Sequence, residues 1–181
     1  KMGNKLNSLE QNIRGKRNLD NPPLHLWHPP LSGDIDIRIA ADGSWYHEGG
    51  RIERESLVRL FASIMRREDD GDYYLVTPAE KWRIRVELHP LMVTDITVRE
   101  EQGSQALLQA TLNTGKTVVI GEQHPLFLEP AMGDIAVLQL EYGLSALFTR
   151  AAWYRLVDMT TEVGGKPAIT SGDYVFTLLR E

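Results

Sequence analysis

The chain has 181 residues, 42% of them hydrophobic and 25% charged, carries a formal net charge of −5 at pH 7 and contains no cysteine. That composition is ordinary for a soluble globular protein, and it excludes global disorder, disulfides, thiolate metal sites and cysteine nucleophiles. No run of about 18 apolar residues exists and no apolar stretch follows the first basic residues, so neither membrane insertion nor export is expected and a cytoplasmic location is.

Residues 1–20 are polar, with Met2, Leu6, Leu9 and Ile13 at near-helical spacing. They predict a short amphipathic helix or a loose arm, the arm being the default. Within residues 1–17, Lys1, Lys5, Arg14, Lys16 and Arg17 against Glu10 give a charge of +4, which leaves −9 for the rest. A net-acidic body argues against a stable nucleic-acid complex. The run from Asn21 to Pro30 holds Pro22, Pro23, Pro29 and Pro30, which remove donors and restrict their predecessors, so an extended strap packed by Leu24, Leu26 and Trp27 is expected.

In residues 33–54, Ile35, Ile37 and Ile39 alternate with Asp36 and Arg38, the period-2 pattern of a half-buried strand. Ala41-Asp42-Gly43-Ser44 supplies turn chemistry, and Trp45-Tyr46-His47-Glu48 forms the second arm of a hairpin. Trp45 and His47 share one face of that arm and Tyr46 takes the other. Leu57, Val58, Leu60, Phe61, Ile64 and Met65 recur at helical spacing and predict a helix over 54–68. Strands follow at 73–77 and 82–87, with Trp82, Ile84 and Val86 on one face and Lys81, Arg83 and Arg85 on the other.

From Leu91 the pattern is strand after strand: 92–99, 106–112 and 117–120 form a meander, and 135–142 is a further strand. A helix, apolar nearly all round, is predicted over 144–158 with Ser145 at its cap, then a loop over 160–171 and a last strand over 174–179. Gly-Asp-Tyr precedes a strand at 71–73 and again at 172–174, after a hairpin turn and a helix in both halves. The fold class expected is therefore α+β with two related domains by duplication, each a small, mostly antiparallel sheet with one main helix. The divisions are an arm over 1–23, a first domain over 24–88 and a second over 89–181.

Asp36 to Arg54, which fits the pattern D-I-R-I-A-x-D-G-x-W-x-H-x-G-x-x-I-x-R, and the string Leu75-Val76-Thr77-Pro78-Ala79-Glu80-Lys81 resemble the proteobacterial domain of unknown function 1285 family from about Trp27 onward. Where such sequences read Val-Glu-Asp-x-Pro, this chain has Val86-Glu87-Leu88-His89-Pro90, so a role for that aspartate would be missing. The resemblance implies two related α+β domains, the second loosely pleckstrin-homology-like. It also implies a nucleotide-like ligand bound between them and a signalling role.

Several superficial motifs fail. Gly115-Lys116-Thr117 lacks the first glycine of a phosphate-binding loop, since position 110 is Ala110, and lies between strands. Gly143-Leu144-Ser145-Ala146-Leu147 lacks the second glycine of a nucleophile elbow. His25, His28, His89 and His124 lie in proline-bearing loops and read as structural, so no metal site is expected and no cofactor is indicated. The candidate ligand residues are Asp36, Arg38, Trp45, His47, Arg54, Lys81 and Arg83. In this reading Arg85 joins the basic residues in a floor for phosphate or carboxylate, and Trp45, Tyr46 or Trp82 stacks on a ring. The competing reading is a solvated face laced by pairs such as Asp36 with Arg38 or Arg85 with Glu87.

The function expected is non-enzymatic binding of a small anionic, nucleotide-like ligand in sensing or signal transduction, with no catalytic residue singled out. One alternative is an enzyme acting on a phosphorylated metabolite with His47 as acid–base. Another is a protein–protein interaction module with a protein partner.

Overall fold

The computed structural model describes residues 2–14 and 21–178. Lys1, Lys16 and Arg17 of the basic segment, the 15–20 part of the expected arm and Leu179 of the last expected strand lie outside the described residues. Two units are present, Lys1–Pro90 with Tyr142–Leu144, and Leu91–Glu141 with Ser145–Glu181.

The first unit begins with α1 (Met2–Arg14), which realises the helix and not the loose arm over its described length. Leu9 and Ile13, one turn apart, are buried. Asn12 Nδ2 donates to Glu80 Oε2 at 2.7 Å, and Glu10 pairs with Arg54 at 2.8 Å. Leu9→Ala is expected to lower stability by about 2–4 kcal/mol, the usual cost of truncating a buried leucine; urea unfolding followed by tryptophan fluorescence measures it.

The predicted hairpin is β1 (Gly33–Ile39) and β2 (Trp45–His47), continued by β3 (Gly50–Arg51). Its turn closes because the Ser44 amide donates to Asp42 Oδ1 at 2.9 Å while Gly43 takes φ 88°. The same backbone amide is the main reason the Asp42 carboxyl is held below its usual range.

α2 (Glu55–Ala62) is half the predicted 54–68 helix, and β4 (Met65–Arg67) takes the remainder. Ser63 Oγ donates to the Leu60 carbonyl at 2.6 Å, Ile64 N turns back to Phe61 O, and the Ile64 carbonyl then accepts from Val76 N at 2.9 Å. Ile64 and Met65 fit an apolar helix face by spacing, but Ile64 is buried in a turn bonded to β5 (Tyr73–Val76) and Met65 as a strand residue opposite Leu75. β6 (Lys81–Val86) completes a sheet of order β3-β2-β1-β6-β5-β4, in which only β1 and β6 run parallel.

The second unit opens with the predicted meander, β7 (Leu91–Arg99), β8 (Leu107–Leu112) and β9 (Thr117–Val119). β10 (Leu126–Glu129), unforeseen in the sequence, pairs with β11 (Ile135–Gln139), and β11 with β12 (Ser145–Phe148). The predicted 144–158 helix thus begins as strand: Ser145-Ala146-Leu147-Phe148 is a continuous buried run, which a central strand covered on both faces and a buried helix share. α3 (Arg150–Asp158) is capped by Thr149, whose hydroxyl accepts from Ala152 N at 3.2 Å, and Ser145, the expected cap, is buried in β12 instead. The expected 160–171 loop is β13 (Thr161–Val163) and β14 (Lys166–Ser171), which with β15 (Tyr174–Thr177) form a separate antiparallel sheet.

The main sheet of the second unit has the order β10-β11-β12-β7-β8-β9, with β12 and β7 parallel. Each main sheet is therefore two three-stranded meanders joined through their first and last strands, which is the order a duplication leaves. The Gly-Asp-Tyr pair is not the mark of it. Tyr73 starts a strand of the main sheet, whereas Tyr174 starts β15 of the added one. The helices differ as well, α2 lying between the two meanders and α3 following both.

Candidate functional site

Strand register collects the polar side chains of the first unit on one sheet face. Tyr46 lies opposite Arg38 across the hairpin, Arg38 beside Arg85 and Asp34 beside Arg83 across the parallel pair. Arg83 lies opposite Tyr74, and Tyr74 opposite Arg66. Side chains facing each other in a ladder share a face, so a row of Tyr46, Arg38, Arg85, Arg83, Tyr74 and Arg66 crosses five strands, with Lys81 and Asp36 in phase. The other face carries Ile35, Ile37, Ile39, Trp82 and Ile84 into the core.

Every cation of the predicted floor is held by a carboxylate. Arg38 pairs with Glu87 at 2.5 Å, Arg85 with Asp36 at 2.8 Å, and Arg83 with Asp34 and Asp72 at 3.1 and 3.2 Å. Lys81 meets Glu68 at 2.8 Å. The lacing foreseen as the competing reading exists with exchanged partners, because Asp36 and Glu87 reach across to the neighbouring strand. Burial raises the Glu68 carboxyl, but hydrogen bonds from Lys81 and Arg66 outweigh it and leave the group below its usual range. The Ala41 amide, followed by Arg38, lowers Glu87.

Aromatic rings support the cations from beneath. The Arg38 guanidinium sits 4.3 Å from the centre of the Tyr46 ring, and Lys81 Nζ and Arg83 lie 4.7 and 5.7 Å from that of Tyr74. Tyr74 donates a very short hydrogen bond to Asp70, which raises the phenol and lowers the acid.

Asp36, Arg38, Lys81 and Arg83 are thus brought together, with Arg85, as the sequence pattern implied. Trp45 and His47 are not. They lie opposite Ile39 and Ile37 and face the core, so neither reaches the Arg38 side, and His47 Nε2 is 3.9 Å from Glu48. Arg54 is engaged by Glu10 of α1 and is no part of the floor. Trp82 is on the core face, where Lys5 of α1 lies 4.9 Å from its ring centre. The strap holds Leu24 in the core but leaves Leu26 exposed.

Tyr74, Glu68, Asp70 and Arg66 escaped the sequence reading. Tyr74 joins the face only through the pairing of β5 with β6, and Arg66 and Glu68 were hidden by their assignment to a helix. Among the described residues no group of three histidine or acidic side chains could hold a metal ion. No described helix is long and apolar enough to cross a membrane.

Residues 22–88 match the family model for the N-terminal domain of DUF1285, a domain of unknown function, and residues 90–178 match that for its C-terminal domain. The chain is similar to the crystal structure of a DUF1285 family protein from Silicibacter pomeroyi DSS-3, with 38% identity, 94% of each chain covered and a TM-score of 0.84. It is also similar to one from Shewanella baltica OS155, with 32% identity over 67% of this chain and 90% of that one, at a TM-score of 0.55. Comparison with curated proteins gives no match.

Proposed function

The chain belongs to the DUF1285 family, and from that premise we propose that it is a non-catalytic binding protein, sensing a small anionic, nucleotide-like ligand in the cytoplasm through the polar sheet face of its first unit. The observation that carries the reading is the state of Arg83. Its guanidinium lies in the middle of the face between two carboxylates that are themselves largely in water, Asp34 at 72% and Asp72 at 51% side-chain exposure. Exposed ion pairs contribute little, so a phosphate or carboxylate can replace either acid, and the released carboxylate is solvated instead of stranded. Arg85 stands two residues along the same strand and offers a second cation, and the Arg38–Tyr46 stack offers a planar group against which a ring can lie.

A thermal-shift screen of nucleotides and anionic metabolites tests this on the purified chain, Arg83→Ala and Arg85→Ala. A ligand at about 100 times its dissociation constant adds roughly 2.7 kcal/mol, a shift of a few degrees. Both variants are expected to keep the unliganded midpoint within about 1–2 °C and to lose most of the shift. An undiminished shift in both removes the ligand from this face.

A second reading, a protein-interaction module, is favoured by Tyr154 and Val157, apolar side chains exposed on α3. A partner retained by Arg83→Ala and lost by Tyr154→Ala supports it.

A further inference from the structure

The strap is fastened to one end of the same face by Arg66. Its short turn (Leu24–Leu26) is closed by amides, with Leu24 N donating to Pro22 O, Leu26 N to Pro23 O and Trp27 N to Leu24 O, at 2.8, 3.0 and 3.1 Å. The Leu24 side chain enters the core, and Arg66 ties the main chain down: its Nη1 donates to the carbonyls of Leu24 and Trp27 at 2.9 and 2.7 Å. Arg66 Nε and Nη2 both donate to Glu68 Oε2, and Glu68 Oε1 accepts from Lys81.

Burial follows the strap. Tyr74 is only 2% exposed although it lies on the polar face, and the Lys81 side chain is 17% exposed. Away from the strap the exposure rises to 38% for Arg83 and 68% for Arg85. The floor thus has an open half and a covered half, and Glu68 joins the residue that fastens the strap to the cation that the strap withholds.

We propose that the strap is an autoinhibitory lid on this floor, with Arg66 as its latch. The inference rests on the reading of the face as an anion site. Closed, the strap leaves Arg83 and Arg85 to meet a ligand; open, it frees Arg66 and Glu68 from their present geometry and admits the ligand to Lys81 and the Tyr74 ring. Apparent affinity is then the population-weighted average of a weaker closed and a tighter open state, so loosening the latch tightens binding.

Inorganic pyrophosphate serves as the probe, titrated by calorimetry into the wild-type chain, Arg66→Lys and Leu24→Ala. Hydrogen exchange is followed at the amides of Leu24, Leu26 and Trp27. Arg66→Lys keeps the charge but loses the fork of donors. The expected result is strap exchange roughly tenfold faster, pyrophosphate binding roughly three- to tenfold tighter, and loss of that gain when Lys81→Ala is added. Leu24→Ala loosens the strap from its other anchor and carries the test if Arg66→Lys does not fold. Faster strap exchange with unchanged or weaker binding overturns the lid and leaves the anion site standing. Strap exchange unchanged in both variants overturns the latch. Absence of pyrophosphate binding in every protein overturns the lid together with the site beneath it.

Discussion

Glu68→Ala is expected to destabilise the chain by about 2–3 kcal/mol, because it strands two cations that are largely out of water. Arg66 and Lys81 both donate to this carboxylate, and their side chains are 11% and 17% exposed. The figure lies below the full cost of breaking a buried pair, since Glu68 keeps some contact with solvent. The effect has a pH signature. Burial opposes ionisation of Glu68, but Lys81 and Arg66 prevail and hold the folded carboxyl below its ordinary value of 4.5. The stabilisation from its ionised form is therefore complete above about pH 4.5 and is lost as the pH falls through the lower folded value. Urea unfolding of wild type and Glu68→Ala should show a constant gap from pH 8 to 6 that narrows below pH 4.5. A gap that widens on acidification contradicts the ion triad.

Trp45→Ala is expected to cost about 3–5 kcal/mol, the range for truncating a buried large aromatic, while Trp45→Phe costs well under half as much. Trp45 is among the largest fully buried side chains, opposite Ile39, and its Nε1 has no hydrogen-bond partner among the described residues. Guanidinium unfolding measures both. A small cost for the alanine variant, with altered ligand affinity, would return Trp45 to the ligand role that its neighbours in sequence suggest.

The period-2 patterns of β1 and β6 carried the open part of the polar face, because within a strand alternation alone decides which side chains share a side. Asp36, Arg38, Lys81, Arg83 and Arg85 were legible for that reason. The Trp45–His47 error came from a different link. Which face of β2 joins which face of β1 depends on register, and the pairing of Ile37 with His47 places the imidazole over the core. Ile64-Met65 and Ser145-Ala146-Leu147-Phe148 were misread because a short buried apolar run fits helix and strand alike. Its partner strand decides, and that partner is distant in sequence. Tyr74 pairs with Arg83 and with Arg66, neither of them a local contact, and so the covered half of the floor was invisible until the ladder was known.

The strings that carry the family resemblance divide into jobs of different kinds. Thr77 Oγ1 accepts from the Ala79 and Glu80 amides, and Glu80 receives Ser8 and Asn12 of α1, so that string builds a turn and docks a helix. Of that string, Lys81 and its ladder partner Val76 lie on the polar face, and Lys81 brings the charge.

The most direct measurement is nuclear magnetic resonance of the arginine Nε–H groups during titration with inorganic pyrophosphate. If the first sheet is the anion site, Arg83 and Arg85 shift together along one binding curve, and the resonance of Arg54, bound to α1, stays still. Shifts confined to arginines outside this face, or no shift at any arginine, contradict it.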